Sequence, residues 1–279
     1  MSRMNNDNVL QINVDEIIKS KNPKLYRFLP GFLIKFLKKL IHQDEINEFL
    51  LNNKDKTGLD FVNAVNDFLD IKTEVYGFEN VPSDGRFIFA ANHPLGGLES
   101  MAMMKIIAQK YTKFNFVVND LLMYLTPMKD IFVPVNKIGG QTREYIEKIN
   151  ALYNSEQQIL YFPAGLVSRK NKGIIRDPAW QKSFINNAIK SNRNIILIYI
   201  EGKNSKFFYN LAHWRKKLKI KANIEMLFLV NEMFKQRGQT IRLYFGKPIL
   251  YTFFDKSKSY LEWAKYLQEQ TYLLFNKEH

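Results

Sequence analysis

The sequence predicts an α/β fold, a single layered domain with a largely parallel sheet flanked by helices and preceded by a helical N-terminal portion. From about residue 72 onward, short apolar runs of strand length alternate with segments of helical periodicity. There is no linker-like run of Gly, Ser and Pro, no internal repeat and no low-complexity segment. Strands that alternate with helices typically form one largely parallel layer, which the helices cover.

The division at residue 70 gives a helical portion over 1–70 and an α/β domain over 71–279. Residues 168–176 and 201–205 are predicted to be loops. Strands are predicted over 72–78, 87–91, 114–119, 131–135, 157–162, 195–200 and 240–245. Helices are predicted over 43–53, 60–69, 99–110, 142–154, 178–191, 206–218, 223–237 and 259–276.

The N-terminal portion contains a basic amphipathic helix, predicted over 25–42 with Pro30 in its first turn. Lys35, Lys38 and Lys39 lie on its polar face. Its apolar residues recur at helical spacing: Leu29, Phe32, Leu33, Phe36, Leu37, Leu40 and Ile41. Two interpretations stay open, a helix that lies in a membrane interface and a helix that packs on its own domain.

Composition narrows the function classes. The net charge of +14 favours a polyanionic partner, such as nucleic acid, an anionic membrane or a phosphate-bearing substrate. The absence of cysteine excludes disulfides and thiolate chemistry. The four histidines have no metal-ligand spacing, so no structural zinc is expected: His42, His93, His213 and His279. With no signal peptide and no long apolar stretch, we expect a protein that is soluble or lies on a membrane surface.

The most informative stretch covers residues 86–99, RFIFAANHPLGGLE. A buried strand leads through a glycine turn at Gly96 and Gly97 into a helix, and His93 stands at the strand end. In open α/β sheets, ligands bind beyond the strand ends. An imidazole can take a proton from a hydroxyl, and Glu99 is the carboxylate that would orient it. The simpler interpretation is a histidine that caps a turn.

Other catalytic plans have little support. The sequence contains no G-x-S-x-G elbow, no Walker A motif and no G-x-G-x-x-G motif. A base without a dedicated nucleophile indicates that the substrate's own hydroxyl or amine attacks.

Two basic segments follow other predicted strands. In FPAGLVSRK, residues 162–170, Arg169 is the best candidate to clamp an anion. In VPVNKIGGQTR, residues 133–143, Lys137 and Arg143 flank a Gly-Gly turn. Each segment alone is more often a solvated surface, but three strand ends that carry a base and cations favour one common site.

In order and spacing, NHPLGGLE, IFVPVNK, FPAGLVSRK and FGKPI (245–249) resemble the sequence blocks of the glycerolipid acyltransferases. These are the 1-acylglycerol-3-phosphate acyltransferase type of the lysophospholipid acyltransferase superfamily, and the resemblance runs from about Gly77 to Ile249. It implies transfer of an acyl group from an acyl-carrier-protein or coenzyme A thioester to an acceptor hydroxyl, with no bound cofactor. His93 would be the base and Glu99 its partner. The implied substrate-binding residues are Asn92, Gly96, Gly97, Asn136, Lys137, Gly165, Ser168, Arg169 and Lys170.

The resemblance also implies a peripheral enzyme on the cytoplasmic face of the cell membrane. Its partners would be an anionic membrane surface, a lysolipid acceptor and, as a donor, acyl carrier protein. A catalytically inactive lipid-binding module of the same fold is the alternative. A nucleic-acid binder that uses Arg215 to Lys221 is less favoured, because no helix-turn-helix, RRM or zinc-finger pattern accompanies that run.

Three departures from the family's blocks matter. Five residues instead of four separate His93 from its carboxylate partner, Ala164 replaces a glutamate, and Asn136 or Lys137 stands where arginine is usual. These changes resemble a divergent branch linked to ornithine and glycine lipids and to proteins labelled hemolysins. There, the acceptor can be the hydroxyl of an N-(3-hydroxyacyl) amino acid, which carries a carboxylate. Both lysophosphatidic acid and a lyso-amino-acid lipid stay open as acceptors.

Overall fold

In a computed structural model of the chain, the described residues are 3–4, 10–135, 143–220 and 223–275. The strands are β1 (Arg3–Met4), β2 (Leu10–Gln11), β3 (Lys72–Tyr76), β4 (Phe87–Ala91), β5 (Phe114–Asn119), β6 (Phe132–Val135), β7 (Gln158–Tyr161), β8 (Arg169–Asn171), β9 (Ile174–Arg176), β10 (Asn194–Ile200) and β11 (Thr240–Phe245). The helices are α1 (Val14–Lys21), α2 (Pro23–Phe28), α3 (Gly31–Leu40), α4 (Gln43–Asn52), α5 (Gly58–Phe68), α6 (Leu98–Ile107), α7 (Arg143–Asn154), α8 (Ser183–Lys190), α9 (Lys206–Lys217), α10 (Leu229–Lys235) and α11 (Tyr260–Leu273).

The central sheet has seven strands in the order β3-β11-β10-β4-β7-β5-β6 among the residues described. Strands β10, β4, β7, β5 and β6 are parallel, whereas β11 pairs antiparallel with β10 and parallel with β3. The predicted α/β fold with a mostly parallel sheet flanked by helices is therefore confirmed.

Strand β4 lies in the middle of this sheet because it is apolar on both faces. Phe87, Phe89 and Ala91 point into one apolar cluster, and Ile88 and Ala90 into the other. All five are buried, as expected for a strand covered on both sides. Since β4 pairs in parallel with both β10 and β7, the residues that follow β4 and β7 lie side by side at one edge of the sheet.

Helices cover both faces. On the Phe89 face, Phe61 of α5 and Met103 of α6 complete the larger cluster. On the other face, Phe184 of α8 and Leu267 of α11 belong to the second cluster. The result is a three-layer arrangement with the sheet in the middle.

The N-terminal amphipathic segment is two helices rather than the single helix predicted over 25–42. α2 ends at Phe28, and α3 begins after Pro30, which has an extended conformation with ψ of 139°. Proline disfavours helical backbone in the residue before it, and it lacks a donor N–H. Helix α3 still contains the three lysines, Lys35, Lys38 and Lys39, together with Phe32, which is 74% exposed.

Helices α4 and α5 pack into the main core, since Phe49 and Phe61 belong to the same cluster as Phe89. The domain division at residue 70 stays a prediction. None of the helices among the described residues is long and apolar enough to cross a membrane.

Three other elements differ from the prediction. The segment 168–176 is not a loop but contains the hairpin β8–β9, whose turn at Lys172 and Gly173 has positive φ at both positions. Helix α8 begins only at Ser183, because the N–H of Gln181 donates to the Pro163 carbonyl instead of joining a helix. The segment predicted as a helix over 223–237 begins with a 3-10 turn over 224–228 before α10.

A buried arginine supports the end of α7. The guanidinium of Arg193 is fully buried and donates to the main-chain carbonyls of Tyr153 at 2.6 Å and Gln157 at 2.8 Å. It also donates to the carbonyls of Leu152 and Ser155. Burial lowers the pKa of Arg193 to about 10, so the side chain stays charged at neutral pH.

Replacement of this arginine tests its structural role. Arg193→Leu leaves several buried carbonyls without donors, and we expect the free energy of unfolding to fall by about 3 kcal/mol or more. Urea denaturation followed by circular dichroism measures it. The control is Arg242→Leu, which removes only exposed ion pairs to Glu74 and Glu201 and should cost much less. Equal losses in both variants would contradict the prediction.

Candidate active site

His93 lies at the carboxyl edge of the sheet, where the chain leaves β4. Its imidazole stacks on the ring of Phe162, which follows the neighbouring strand β7, with ring centroids 4.2 Å apart and an interplanar angle of 16°. The parallel pairing of β4 with β7 makes this contact possible. The side chain of His93 is 15% exposed, so one edge of the ring reaches the surface.

Glu99 lies under the imidazole and is fully buried. Its Oε1 accepts hydrogen bonds from His93 Nδ1 at 2.8 Å and from the main-chain N–H groups of Leu95 at 2.9 Å and Gly96 at 3.0 Å. Its Oε2 accepts one from the N–H of Gly97 at 2.8 Å. The five residues between His93 and Glu99 therefore bring the carboxylate onto the imidazole and wrap the turn around it.

These contacts keep Glu99 ionised. Burial alone would raise its pKa, but the charge of His93 and the hydrogen bonds from His93, Gly97 and Gly96 lower it below the ordinary value. An ionised carboxylate only accepts, so Nδ1 carries a proton, and in the neutral imidazole Nε2 presents a lone pair. No described residue hydrogen-bonds to Nε2. The arrangement is that of an oriented general base.

The turn requires glycine at position 96. Gly96 has φ of +96°, and a Cβ there would lie 2.7 Å from Cδ2 of Leu229. The close packing of Leu229 and Val167 against Gly96 fixes the turn from outside.

A second buried carboxylate, Asp177, holds the main chain of His93. It accepts the N–H of His93 at 3.1 Å on Oδ1 and 3.2 Å on Oδ2. The hydroxyl of Ser168 donates to it at 2.6 Å and Nε1 of Trp180 at 3.0 Å. Burial raises the pKa of Asp177, although these hydrogen bonds oppose the shift. No local sequence pattern predicts a role for Asp177, because His93, whose main chain it holds, lies 84 residues away.

Asn92 and Ser168, both expected to bind substrate, make structural contacts. The amide of Asn92 exchanges two hydrogen bonds with the main chain of Ile200, at 2.9 and 2.6 Å, which joins the ends of β4 and β10. The N–H of Ser168 donates to the carbonyl of His93 at 2.7 Å, and both side chains are buried. They therefore fix the strand ends around His93.

Arg169, the expected anion clamp, belongs to a buried ion cluster. Its Nη2 lies 3.2 Å from Oε1 of Glu225, and Nε of Arg215 lies 2.8 Å from Oε2 of the same fully buried carboxylate. Burial lowers the pKa of the Arg169 guanidinium, and Glu225 opposes that shift. Two guanidiniums and one carboxylate leave one net positive charge beside Ser168.

The remaining predicted residues are dispersed. Gly165 forms a turn with φ of +59° after β7, Lys170 is exposed on β8, and Ala164 is buried in the second cluster. Asn136 and Lys137 lie outside the described residues, as does the Gly-Gly turn that follows them. Within the described ranges, no group of three or more His, Asp and Glu side chains could hold a metal ion.

Comparison with known proteins identifies the family. A family model described as Acyltransferase matches residues 16–278. The chain belongs to the acyltransferase family. Two curated relatives are both named lyso-glycine lipid O-acyltransferase. That of Bacteroides thetaiotaomicron is 45% identical over 97% of this chain and 100% of its own length, and that of Phocaeicola vulgatus is 41% identical over 98% of each.

This acyltransferase is an enzyme of lipid biosynthesis that transfers acyl groups to oxygen. The alternative of a catalytically inactive lipid-binding module is therefore not supported. Among solved structures, it is similar to the crystal structure of the 1-acyl-sn-glycerophosphate acyltransferase PlsC from Thermotoga maritima. The TM-score is 0.48 and the identity 16%, over 95% of this chain and 93% of that one. The predicted resemblance to the glycerolipid acyltransferases is confirmed by the family model and the relatives.

The buried charge of Glu99 gives a pH-dependent prediction. Because its folded pKa lies below the ordinary value of 4.5, the ionised carboxylate stabilises the fold above pH 4.5, and that contribution is lost as pH falls through the folded pKa. The difference in unfolding free energy between wild type and Glu99→Gln should therefore shrink on acidification. Urea titrations at several pH values measure it. A difference that stays constant or grows as pH falls would contradict this.

Asp177 is expected to act as a positioning residue for the acyltransferase. Asp177→Asn places an amide NH₂ against donors and releases the His93 main chain, so kcat should fall about 10- to 100-fold at nearly unchanged KM. Trp180→Phe removes one donor to the same carboxylate and is the control, with a small effect on kcat. The assay measures kcat and KM per folded molecule, so that an effect on the position of His93 is distinguished from a loss of stability. A smaller folded fraction with an unchanged kcat per folded molecule would mean a purely structural role.

Proposed function

We propose that the protein transfers a fatty acyl group from a thioester, carried by acyl carrier protein or coenzyme A, to the hydroxyl of a lyso-glycine lipid. The observation that carries the chemistry is the 2.8 Å contact between His93 Nδ1 and the buried Glu99. The observation that favours this acceptor is the name shared by relatives at 45% and 41% identity over nearly the whole chain.

In the proposed reaction, Nε2 of His93 takes the proton of the acceptor hydroxyl as the oxygen attacks the thioester carbonyl. The new C–O bond forms a tetrahedral intermediate, and collapse of this intermediate breaks the C–S bond. The imidazolium returns the proton to the leaving thiolate. Glu99 holds the ring and stabilises its charged form throughout. Such general-base catalysis typically contributes about 10²–10⁴ in rate.

The acceptor's carboxylate needs a positive environment. The cluster of Arg169, Arg215 and Glu225 supplies one net positive charge beside the His93 turn, and Lys170 is exposed on the adjoining strand. Since Glu225 already pairs with both guanidiniums, this is a milder anion site than a free arginine fork. It suits a carboxylate better than a phosphate dianion. Asn136 and Lys137, which lie outside the described residues, stay candidates for acceptor binding on the sequence pattern alone.

We also propose that the enzyme works as a peripheral protein on the cytoplasmic face of the cell membrane. The phenyl rings of Phe28, Phe32 and Phe36 on α2 and α3 are 85%, 74% and 51% exposed, beside Lys35 and Lys39. Aromatic rings next to lysines are typical of helices that lie in an anionic membrane interface.

An acylation assay tests the reaction and the acceptor. Purified protein is offered acyl-carrier-protein and coenzyme A thioesters against lyso-glycine lipid, lyso-ornithine lipid and lysophosphatidic acid, with products read by mass spectrometry. We expect acylation of the lyso-glycine lipid, a loss of at least about 10²-fold in His93→Ala, and normal activity in the control His213→Ala, which changes an exposed histidine.

Efficient acylation of lysophosphatidic acid with none of the lyso-glycine lipid would overturn the acceptor. Full activity in His93→Ala would overturn the base. The two parts of the proposal therefore fail separately.

A further inference from the structure

Helix α9 is apolar on two opposite faces. Its inner face is buried and includes Phe208 and Tyr209. Its outer face carries Phe207, Trp214 and Leu218, which are 51%, 54% and 65% exposed. The spacing of these three residues, i, i+7 and i+11, puts them in one stripe along the helix. A soluble helix normally turns a polar face outward, so an exposed apolar stripe indicates a contact with something apolar.

The stripe continues beyond α9. Ile220 and Leu227 are 40% and 54% exposed, and the ring of Phe228 meets that of Phe207 at 5.0 Å. The α9 surface is defined here as Phe207, Trp214, Leu218, Ile220 and Leu227.

The surroundings of the α9 surface are positively charged. Between Glu201 and Glu225 the sequence contains no acidic residue. Lys217 extends over the ring of Trp214, with Nζ 4.8 Å from the ring centroid. The basic residues of this stretch are Lys203, Lys206, Arg215, Lys216, Lys217, Lys219 and Lys221. Exposed apolar side chains in a lysine-rich stretch complement a surface with acyl chains inside and anionic head groups outside.

The inner face of α9 contacts the catalytic region. Phe208 and Tyr209 cluster with Val167, next to Ser168. The Tyr209 hydroxyl accepts the N–H of Asn204 at 3.0 Å, and the Asn204 amide donates to the Pro94 carbonyl at 3.2 Å, one residue after His93. A single helix therefore separates the α9 surface from the turn that holds the base.

We propose that the α9 surface is a membrane-contact site that inserts among anionic phospholipids and sets the His93 turn next to the lipid layer from which the acceptor comes. This inference rests on the proposed peripheral membrane function, and it adds a second contact besides α2 and α3. The cation run 215–221 does not need nucleic acid as its partner, because Arg215 is committed to Glu225 and the stripe is apolar.

The chain contains its own probe for this contact. Of its three tryptophans, Trp180 and Trp263 are buried at 1% and 4% exposure, whereas Trp214 is 54% exposed. Full-length protein is titrated with vesicles of phosphatidylcholine alone or with phosphatidylglycerol, some carrying brominated acyl chains. We expect a blue shift, quenching by the brominated lipid and protection from aqueous acrylamide, all stronger with phosphatidylglycerol. Trp214→Phe should abolish the shift.

A double variant measures the contribution to binding. Trp214→Ser with Leu218→Ser should weaken co-sedimentation with phosphatidylglycerol vesicles at least tenfold and slow acylation of vesicle-embedded acceptor. Acylation of a short-chain, monomeric acceptor should stay unchanged. The matched control is Leu250→Ser with Leu261→Ser, which removes side chains that are 58% and 57% exposed elsewhere on the molecule.

The outcomes separate this inference from the proposed function. Vesicle binding that leaves Trp214 accessible to acrylamide, and that is lost in Phe32→Ser with Phe36→Ser, would overturn the α9 surface but leave membrane association intact. Lack of binding to any vesicle, by protein active on the monomeric acceptor, would overturn both membrane contacts but not the reaction. Dimers that the α9 double variant dissociates, or a Trp214 shift with DNA but not with vesicles, would also overturn the inference.

Discussion

A carboxylate that is removed from water stays ionised only where donors and positive charge surround it. Glu99 meets this requirement because the chain from His93 folds back and aims three main-chain N–H groups at its oxygens. The same requirement fixes the shape of the turn, demands glycine at position 96 and places the imidazole proton on Nδ1. The direction in which Nε2 of His93 points therefore follows from the burial of one charge.

The turn is held from a second side by Asp177, and the two carboxylates have different tasks. Glu99 bonds the ring of His93, whereas Asp177 bonds its main-chain N–H and, through Ser168, the segment after β7. Both are buried, but only Glu99 bonds directly to the imidazole of His93, and their pKa values shift in opposite directions. The imidazole of His93 is thus fixed in orientation and in position by separate groups.

The part of this site that lies in one stretch could be predicted from sequence, because the strand, turn and helix around His93 and Glu99 are each encoded locally. Asp177 lies 84 residues after His93, and its role depends on β4 and β7 being neighbours, which no local pattern encodes. The basic residues after β7 could be recognised in the sequence as a candidate anion site. Their pattern does not reveal that Glu225, 56 residues after Arg169, neutralises one of these charges. Pro30 divided the amphipathic helix because a backbone restriction outweighed a continuous hydrophobic pattern.

The buried cluster of Arg169, Arg215 and Glu225 joins three elements that are far apart in sequence: the hairpin β8–β9, helix α9 and the turn before α10. Loss of Glu225 alone would leave two guanidiniums without their carboxylate, whereas loss of either arginine alone leaves one Arg–Glu pair. In natural drift or laboratory selection, replacement of Glu225 is therefore expected only together with a change at an arginine, whereas either arginine can vary while the other stays.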